Sequence, residues 1–182
     1  MLNKSSSRTA QHVQKTLHCE PTDNRCLFMP AIYEHKGWFI GETPSAISRD
    51  AKLLAGGVLK EYEQLTPDAL AIGIDVYNLE AEAVGCKVTY YEGDDISIPG
   101  ISPGNHVIKI GEDISSRQAP NPLTDGRMPV NIEAARLVVK EVGDDVWVRG
   151  AISGPFSLAV SMVGAEDLFM ATLDDPDFVH TL

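Results

Sequence analysis

The chain has 182 residues, 43% of them hydrophobic, and a formal net charge of −11 at pH 7. This length and composition suit one domain with a full core. So acidic a chain gains nothing from the counterion release that drives nucleic-acid binding, and anionic membrane surfaces repel it. Nucleic acid and membranes are therefore excluded as expected partners, and a cytoplasmic location is expected.

The three cysteines, Cys19, Cys26 and Cys86, are odd in number and widely spaced. This pattern argues against a disulfide framework and favours a reducing compartment. The N-terminal residues lack the apolar core of a signal peptide, and no apolar run approaches the roughly 18 residues of a membrane span.

The first part of the chain predicts a helix followed by a buried strand. Residues 1–7 are polar and are expected to be disordered. Residues 7–17 have apolar side chains at helical spacing. Residues 26–32 form a continuous apolar run, which is typical of a parallel strand covered by helices on both faces.

A capped helix and a second buried strand are predicted next. Thr43 can cap a helix that extends to Leu65. Residues 68–75 predict a buried strand that ends in an acid. Residues 79–85 predict one or two helical turns closed by glycine, and 87–91 a half-exposed strand.

Residues 96–121 are rich in proline, glycine and serine. They predict a long surface loop with a short strand at 106–110. Residues 131–142 predict an amphipathic helix. A buried strand at 146–152 then breaks and restarts as a helix that continues to Phe169. The acids and proline at 174–177 end this helix, and another one begins after them.

Polar side chains follow two of the predicted strands. In parallel α/β proteins, ligands bind at the carboxyl ends of the strands. We therefore expect a pocket that includes Ser153, Ser157 and Ser161, with Tyr77 and Asn78 at the mouth of the preceding strand. A well-packed strand-to-helix turn would have the same sequence pattern.

Strands that alternate with helices and are apolar on both sides predict a parallel sheet or barrel of the α/β class. The chain has about three or four βα units, whereas a closed (β/α)8 barrel takes roughly 250 residues. We therefore expect residues 8–182 to form about half a barrel, truncated within a helix at the C-terminus.

Three stretches carry a resemblance to a known family: the strand at 68–75, the Glu-Ala-Glu-Ala segment within 79–89, and Gly-Pro-Phe-Ser-Leu-Ala with its continuation at 154–168. In this order they resemble the N-terminal half of the uroporphyrinogen decarboxylase superfamily. That superfamily includes the decarboxylase of haem synthesis and the cobamide-dependent methyltransferases. The resemblance implies a TIM barrel with its pocket at the carboxyl ends of the strands.

The resemblance implies a role for Asp75, and the chain also differs from the decarboxylase at two places. In the decarboxylase, an aspartate at the position of Asp75 gathers the pyrrole NH groups of the substrate. The arginine-rich segment that meets substrate carboxylates is replaced here by residues 33–36, with one cation and one acid, and a tyrosine of the decarboxylase is replaced by Ser161. These departures argue against porphyrinogen decarboxylation, and the Glu80-x-Glu82 pattern favours the methyltransferase branch.

The methyltransferase branch implies transfer of a methyl group between a corrinoid (methylcobamide) protein and a thiol or another acceptor. It also implies zinc, bound through His-x-Cys and a later cysteine in the second half of the barrel, where the metal lowers the pKa of the acceptor thiol. The present chain has no His-x-Cys. Zinc and corrinoid are thus expected cofactors whose ligands this segment does not carry, and no catalytic residue is assigned.

His35 is a candidate because imidazole exchanges a proton near neutral pH, although an exposed loop histidine is the plainer interpretation. Glu80 and Glu82 point in different directions on a helix, so Glu80 is expected to face the pocket and Glu82 the solvent. The expected substrate-binding residues are Asp75, Tyr77, Asn78, Glu80, His35, Ser153 and Ser161.

Two alternatives stay open. One is a uroporphyrinogen decarboxylase with an altered substrate, and the other is a catalytically inactive half-barrel. A half-barrel exposes unpaired strand edges and an apolar inner face, so self-association of the chain is expected.

Overall fold

A computed structural model describes residues 8–22, 25–73 and 78–182. The chain divides into two compact units, one made of Met1–Ile74 and Val130–Ala151, the other of Asp75–Pro129 and Ile152–Leu182. Within the described residues the strands are β1 (Ala69–Ala71), β2 (Val88–Thr89), β3 (Gly100–Ile101) and β4 (Trp147–Arg149). The helices are α1 (Arg8–Leu17), α2 (His35–Trp38), α3 (Pro44–Ile47), α4 (Ala51–Leu65), α5 (Leu79–Ala83), α6 (Met128–Val142), α7 (Pro155–Val163), α8 (Ala165–Asp174) and α9 (Pro176–Thr181).

The first unit is built on a parallel pair of strands. β1 and β4 lie side by side, with Ala71 opposite Arg149, and the bond from Ile72 N to Arg149 O (2.8 Å) continues the ladder. Helices α4 and α6 contribute apolar side chains to the core on this sheet. The buried core residues are Ile47, Leu54, Ala55, Val58, Leu70, Ile72, Ala134, Val138 and Val146.

Asp68 anchors the residues that precede the sheet. Its two carboxylate oxygens accept hydrogen bonds from the Arg25 guanidinium at 2.5 and 2.7 Å, and Oδ2 also accepts from the backbone N–H of Phe28 at 2.8 Å. The guanidinium holds the pKa of Asp68 below its usual value, and the Phe28 N–H acts in the same direction. The acid therefore fixes segment 25–28 at the start of β1.

The predicted buried strand at 26–32 is wrong, because the segment has no regular strand structure and Cys26, Phe28 and Met29 are exposed. Among the described residues, the backbone bond that joins it to the sheet is Asp68 N to Phe28 O at 2.8 Å. One bond does not make a ladder, and the apolar side chains of Leu27 and Ile32 are only half-buried.

The predicted helix from Thr43 to Leu65 begins as expected, since the Thr43 hydroxyl accepts a bond from Ala46 N at 3.3 Å. It is two helices, α3 and α4, and not one. Asp50 lies between them in an extended conformation (φ −130°, ψ 118°), and its side chain accepts from the N–H groups of Lys52 and Leu53. An aspartate in this conformation starts a new helix, so the break follows from the cap.

The second unit contains the antiparallel pair β2 and β3 and the short helix α5. The predicted turns at 79–85 are confirmed, and Gly85 (φ +105°) ends them in a conformation that favours glycine. The buried core residues of this unit are Ala81, Cys86, Ile108, Ala159, Met162, Val163, Leu168, Ala171 and Phe178.

The predicted strand at 106–110 is wrong. The backbone N–H groups of Val107 and Ile108 both bind the carbonyl oxygen of Met162, at 2.9 and 3.0 Å. The end of α7 therefore accepts the backbone hydrogen bonds of this segment, which does not pair with a strand. The extended pair of this region lies at β2 and β3.

The predicted continuous helix through residue 169 is also wrong, because Gly164 (φ +104°) separates α7 from α8 and the two axes differ by 106°. The ring of His106 lies close to the position that a β-carbon on residue 164 would take, with Cδ2 3.3 Å away. A larger residue would therefore meet both a strained backbone and the ring. Across the described ranges no single helix is long and apolar enough to cross a membrane, although this bent pair passes that test by length and composition.

Smaller differences concern the ends of elements. The predicted helix at 131–142 is confirmed but begins at Met128. The strand predicted at 146–152 is limited to Trp147–Arg149 and is half-buried, and Ile152 is exposed. The last helix begins at Pro176, two residues earlier than expected, and the Asp175 carboxylate caps it by accepting from Phe178 N at 3.1 Å.

Candidate functional site

The predicted site residues fall into three groups. Asp75 and Tyr77 lie outside the described residues. His35 belongs to the first unit, where it is an exposed residue at the start of α2. The other four predicted residues lie in the second unit: Asn78, Glu80, Ser153 and Ser161.

Glu80 and Ser153 are in direct contact. Oε1 of Glu80 accepts a hydrogen bond from the backbone N–H of Ser153 at 3.3 Å, and Oε2 accepts one from the Ser153 hydroxyl at 3.0 Å. Ser153 immediately precedes Gly154, the N-cap residue of α7, whose side chain can offer no cap. The Glu80 carboxylate therefore fixes the loop that leads into α7, and its contacts in this structure are those of a positioning residue.

Asn78 precedes α5 and does not cap it with its side chain. Its Nδ2 donates a hydrogen bond to the carbonyl oxygen of Pro99 at 2.9 Å, just before β3. Asn78 thus contacts the residue before β3, and Glu80, in the first turn of α5, contacts the loop before α7. The sequence predicted these residues as a cluster, and the structure brings them together at the start of α5.

Glu82 does not face the solvent as expected. Its Oε2 forms an ion pair with Arg127 Nε, and its Oε1 accepts a hydrogen bond from the Tyr90 hydroxyl at 2.7 Å. The Arg127 guanidinium also lies 5.3 Å from the centre of the Tyr90 ring. Because Arg127 is buried, its charge requires an acid, and Glu82 is the partner that α5 supplies.

Ser161 directs its hydroxyl back along α7, to the carbonyl oxygen of Ser157 at 3.1 Å. Its own carbonyl oxygen accepts from His106 Nδ1 at 2.8 Å and from the Cys86 thiol at 3.4 Å. These contacts fix the residues around the end of α7. His106 therefore has a structural contact.

The most deeply buried charges lie in the first unit. Lys36 and Glu61 are both 0% exposed, and Lys36 Nζ lies 3.4 Å from Glu61 Oε2. Desolvation lowers the pKa of Lys36 and raises that of Glu61, and their mutual attraction opposes both shifts. Sequence reasoning treated Lys36 as a loop cation and missed this pair.

A sequence pattern could have revealed the pair. Glu61 follows Leu54 and Val58 at helical spacing, so it occupies the buried stripe of α4. An acid in such a stripe requires a cation or a proton. The adjacent Gly57 gives the second clue, because a β-carbon there would lie 2.8 Å from the Lys36 carbonyl oxygen, which shows how closely α2 approaches α4.

The described residues do not fit a zinc site. Among them, no group of three or more histidine, cysteine, aspartate or glutamate side chains could hold a metal ion. The buried thiol of Cys86 is bound to the Ser161 carbonyl, and burial raises its pKa, which opposes the thiolate form that zinc requires. Cys19 and Cys26 are exposed.

Surface cavities are present in both units of the described part of the chain. One, of about 460 Å³, is a groove between α4 and α6 in the first unit, with Leu59 and Leu137 in its lining. The other, of about 430 Å³, lies in the second unit beside Ile114 and Arg117. The lining of neither cavity includes the candidate residues described above.

Comparison with known proteins places these features in a family. A methylated-thiol–coenzyme M methyltransferase from Methanosarcina mazei is 27% identical over 132 residues, which cover 72% of this chain and 34% of that protein. A methyltransferase structure from Methanosarcina mazei superposes with a TM-score of 0.79 at 21% identity, over 96% of this chain and 51% of that chain.

The structural match shows a common fold, and the chain spans about a third to a half of the length of these relatives. The predicted TIM-barrel type is supported by this match, whereas the described residues display a partial sheet. The profile of the uroporphyrinogen decarboxylase (URO-D) family matches residues 9–182, and the resemblance noted in the sequence is thereby confirmed. The chain belongs to the uroporphyrinogen decarboxylase (URO-D) family.

Proposed function

We propose that the protein is a methyltransferase that moves a methyl group between a corrinoid (methylcobamide) protein and a thiol or another small acceptor. Support comes from the family, from the methylated-thiol–coenzyme M methyltransferase relative, and from the fold shared with a methyltransferase of solved structure. Because the chain spans about half of the structural relative or less, this activity is proposed for the full-length protein.

One observation favours methyl transfer over decarboxylation. The decarboxylase uses cations in the segment matching residues 33–36 to meet the carboxylates of its substrate. Here the cation of that segment, Lys36, is fully buried and paired with Glu61. A substrate with many carboxylates would have to compete with an internal acid for it, at a high desolvation cost. This segment is therefore poorly suited to porphyrinogens.

The residues of α5 act in this proposal mainly through positioning. Glu80 holds the backbone and hydroxyl of Ser153, and Asn78 holds the segment before β3. Asp75, Tyr77, His35 and Ser161 complete the set proposed to bind substrate. Zinc remains an expectation from the family, and because the described residues do not fit it, we assign no step to a metal here.

The partners proposed for the protein are a corrinoid protein, a small methyl donor or acceptor, and a second copy of the chain. A cytoplasmic location is proposed with them, and nucleic acid is not among the partners. In the proposed reaction, the thiol gives its proton to solvent and its sulfur forms a bond to the methyl group. The bond between the methyl group and the donor corrinoid breaks, and its electron pair stays on the corrinoid, so the products are a methyl thioether and the demethylated donor.

The proposal is tested with the full-length protein, a methylated corrinoid and a small thiol. Methyl transfer is followed through the visible spectrum of the corrinoid and through the mass of the thioether. Glu80→Gln is expected to lower kcat by about tenfold, because one oxygen that accepts from Ser153 becomes an NH2 group.

Glu63→Gln is the matched control, since Glu63 is an exposed acid on α4 whose partner is Lys60. This control is expected to keep the activity of the unsubstituted protein. The absence of thioether with every corrinoid and thiol, together with decarboxylation of uroporphyrinogen by the same preparation, would overturn the proposal.

A further inference from the structure

Arg127 lies in the second unit and has a buried charge that the proposed reaction does not use. The residue is 6% exposed. Its Nε forms an ion pair with Oε2 of Glu82, and its guanidinium lies 5.3 Å from the centre of the Tyr90 ring. The Tyr90 hydroxyl donates to the other oxygen of Glu82 at 2.7 Å. These three residues thus form one connected set of contacts, the Arg127 network, in which both oxygens of Glu82 are bound.

The backbone next to Arg127 also contacts α5. Gly126 has φ +53°, a conformation that favours glycine, and a β-carbon there would lie 2.9 Å from the backbone nitrogen of Ala83. Residues 126 and 127 therefore hold the last turn of α5 in two ways. One is the close backbone contact at Ala83, and the other is the ion pair with Glu82.

The helix α5 depends on such contacts for its orientation. It has five residues, and a helix of this length is not stable without packing. Leu79 and Ala81 are buried, but apolar contacts have no preferred direction, so they fix the depth of the helix better than its rotation. The directional bonds are those of Asn78 before the helix and of Glu82 in its last turn, and these fix the rotation.

The orientation of α5 determines the contact between Glu80 and Ser153. Glu80 lies two residues before Glu82 on the same helix, and it binds the backbone N–H and the hydroxyl of Ser153 at 3.3 and 3.0 Å. Rotation or sliding of α5 by about 1 Å would lengthen these bonds beyond hydrogen-bond distance. Loss of the bonds at Glu82 is therefore expected to reach Ser153.

We propose that Arg127 is a positioning residue, which through Glu82 fixes the orientation of α5 and thereby the contact between Glu80 and Ser153. The consequence for the reaction rests on the proposed function, whereas the structural link from Arg127 to Ser153 does not. The two are therefore measured separately.

The structural link is tested by amide hydrogen exchange, followed by NMR, in the full-length protein. Arg127→Gln is expected to accelerate exchange at the Ser153 amide by about tenfold, the effect of losing a hydrogen bond to a charged acceptor. The Phe178 amide of the same unit, which donates to Asp175, should keep its exchange rate and so report that the unit stays folded.

Arg136→Gln is the matched control, because Arg136 forms an exposed pair with Glu133, and it should leave exchange at Ser153 unchanged. Arg127→Gln leaves the Glu82 carboxylate without its counter-charge. If this variant does not fold, the double variant Arg127→Gln with Glu82→Gln removes both charges and decides the question. It too is expected to accelerate exchange at Ser153, since two amides do not restore the ion pair.

The consequence for the reaction is measured as kcat for methyl transfer. Arg127→Gln is expected to lower kcat by about fivefold in the otherwise unsubstituted protein. In the Glu80→Gln background the same substitution should lower kcat by less than about twofold, because the contact that it supports is already weakened. A residue that only stabilises the fold would lower kcat equally in both backgrounds.

Two outcomes would overturn the proposal. One is exchange at Ser153 that is unchanged in both Arg127 variants, or that is accelerated equally at Phe178, since Arg127 would then serve only the stability of the unit. The other is an equal loss of kcat in the two backgrounds. Absence of methyl transfer in the unsubstituted protein would overturn the proposed function alone, and the exchange rates would still decide the role of Arg127.

Discussion

At Lys36, burial and charge act in opposite directions. Desolvation favours the neutral amine, and the nearby Glu61 favours the ammonium form. Glu61 is subject to the same conflict, with desolvation favouring the protonated acid. Each charge is tolerated in the interior because the opposite charge lies 3.4 Å away. Removal of one group therefore leaves the other as a buried charge whose desolvation is no longer compensated.

Lys36→Met is therefore expected to lower the free energy of unfolding by about 3–5 kcal/mol, because Glu61 loses its counter-charge in a buried position. Lys36→Met with Glu61→Leu should recover most of this loss, since two apolar residues replace the pair. Urea unfolding measures both. Lys60→Met is the control, since Lys60 and Glu63 form an exposed pair on α4 and about 0.5 kcal/mol or less should be lost. Equal losses for Lys36→Met and Lys60→Met would contradict the buried pair.

The pKa of Asp68 is lowered by hydrogen bonds from Arg25, so the folded state favours its charged form. The stability that this provides is complete above the unfolded pKa, near the ordinary value of 3.8, and is lost as the pH falls through the lower folded value. Asp68→Asn should cost about 1.5 kcal/mol at pH 7, a figure that allows for the exposure of Arg25. The difference from the unsubstituted protein should shrink below about pH 4. Denaturant unfolding at pH 3 and pH 7 checks this, and a difference that does not depend on pH would contradict it.

At the scale of elements, α2 lies against α4 because α4 has a glycine where the two backbones meet. A β-carbon on Gly57 would lie 2.8 Å from the Lys36 carbonyl oxygen, whereas one on Gly56 would have nothing within 4 Å. The two neighbouring glycines of one helix thus face different surroundings. The close approach at Gly57 also brings Lys36 to Glu61, one helical turn further on.

Gly56→Ala and Gly57→Ala are expected to change stability in opposite directions. Alanine is the better helix former, so Gly56→Ala should add about 0.5–1 kcal/mol to the free energy of unfolding. Gly57→Ala should lower it by about 1–3 kcal/mol, since the backbone of α2 has to move away. Thermal or urea unfolding of the two variants gives the comparison directly. Stabilisation by both substitutions would show that α2 is not held against Gly57.

Helix starts and ends that depend on the side chain or φ angle of one residue could be predicted from the sequence. Thr43 begins a helix through its side chain and Gly85 ends one through its φ angle, and both were recognised. Asp175 was expected to end a helix, and its side chain also caps the next one. The segments at 26–32 and 106–110 were not predicted correctly, because an apolar run does not reveal whether a strand partner lies beside it. Val107 and Ile108, the latter buried, bind a helix end instead.

Part of the candidate site could also be predicted, because the places of its residues along strands and helices can be inferred from the local sequence. Asn78 and Ser153 were selected for their places after strands and Glu80 for its face of a helix, and the structure shows that Asn78 bonds to Pro99 and Glu80 to Ser153. The ion pairs of Glu61 and Glu82 were missed, because each partner is distant in sequence and an isolated arginine or lysine does not indicate which acid it meets.

At the scale of the whole molecule, the chain spans only part of the length of its relatives and exposes apolar side chains on α7 and α8. The rings of Phe156 and Phe169 lie 5.8 Å apart, and both are half-exposed. Leu173, one turn after Phe169, is 80% exposed. Large apolar patches of this kind mark surfaces that other protein segments cover.

The 182-residue chain is expected to self-associate at micromolar concentration through this surface. Phe169→Glu should shift it towards the monomer, because a charge would be buried in the contact. Val139→Glu is the control, an exposed apolar residue of α6 in the other unit, and should leave the association unchanged. Sedimentation velocity distinguishes the species. A monomer of the unsubstituted chain at these concentrations would contradict the expectation.

The central claim, methyl transfer by a member of a family named for decarboxylation, is tested most directly with two parallel reactions of one full-length preparation. One contains a methylated corrinoid protein and a thiol, and the other contains uroporphyrinogen. The methyltransferase relatives lead us to expect methyl thioether in the first reaction, and the burial of Lys36 against Glu61 predicts full retention of substrate carboxylates in the second. Loss of carboxylates from uroporphyrinogen without any methyl transfer would contradict the account, since it would show that the segment at 33–36 accepts a polyanionic substrate.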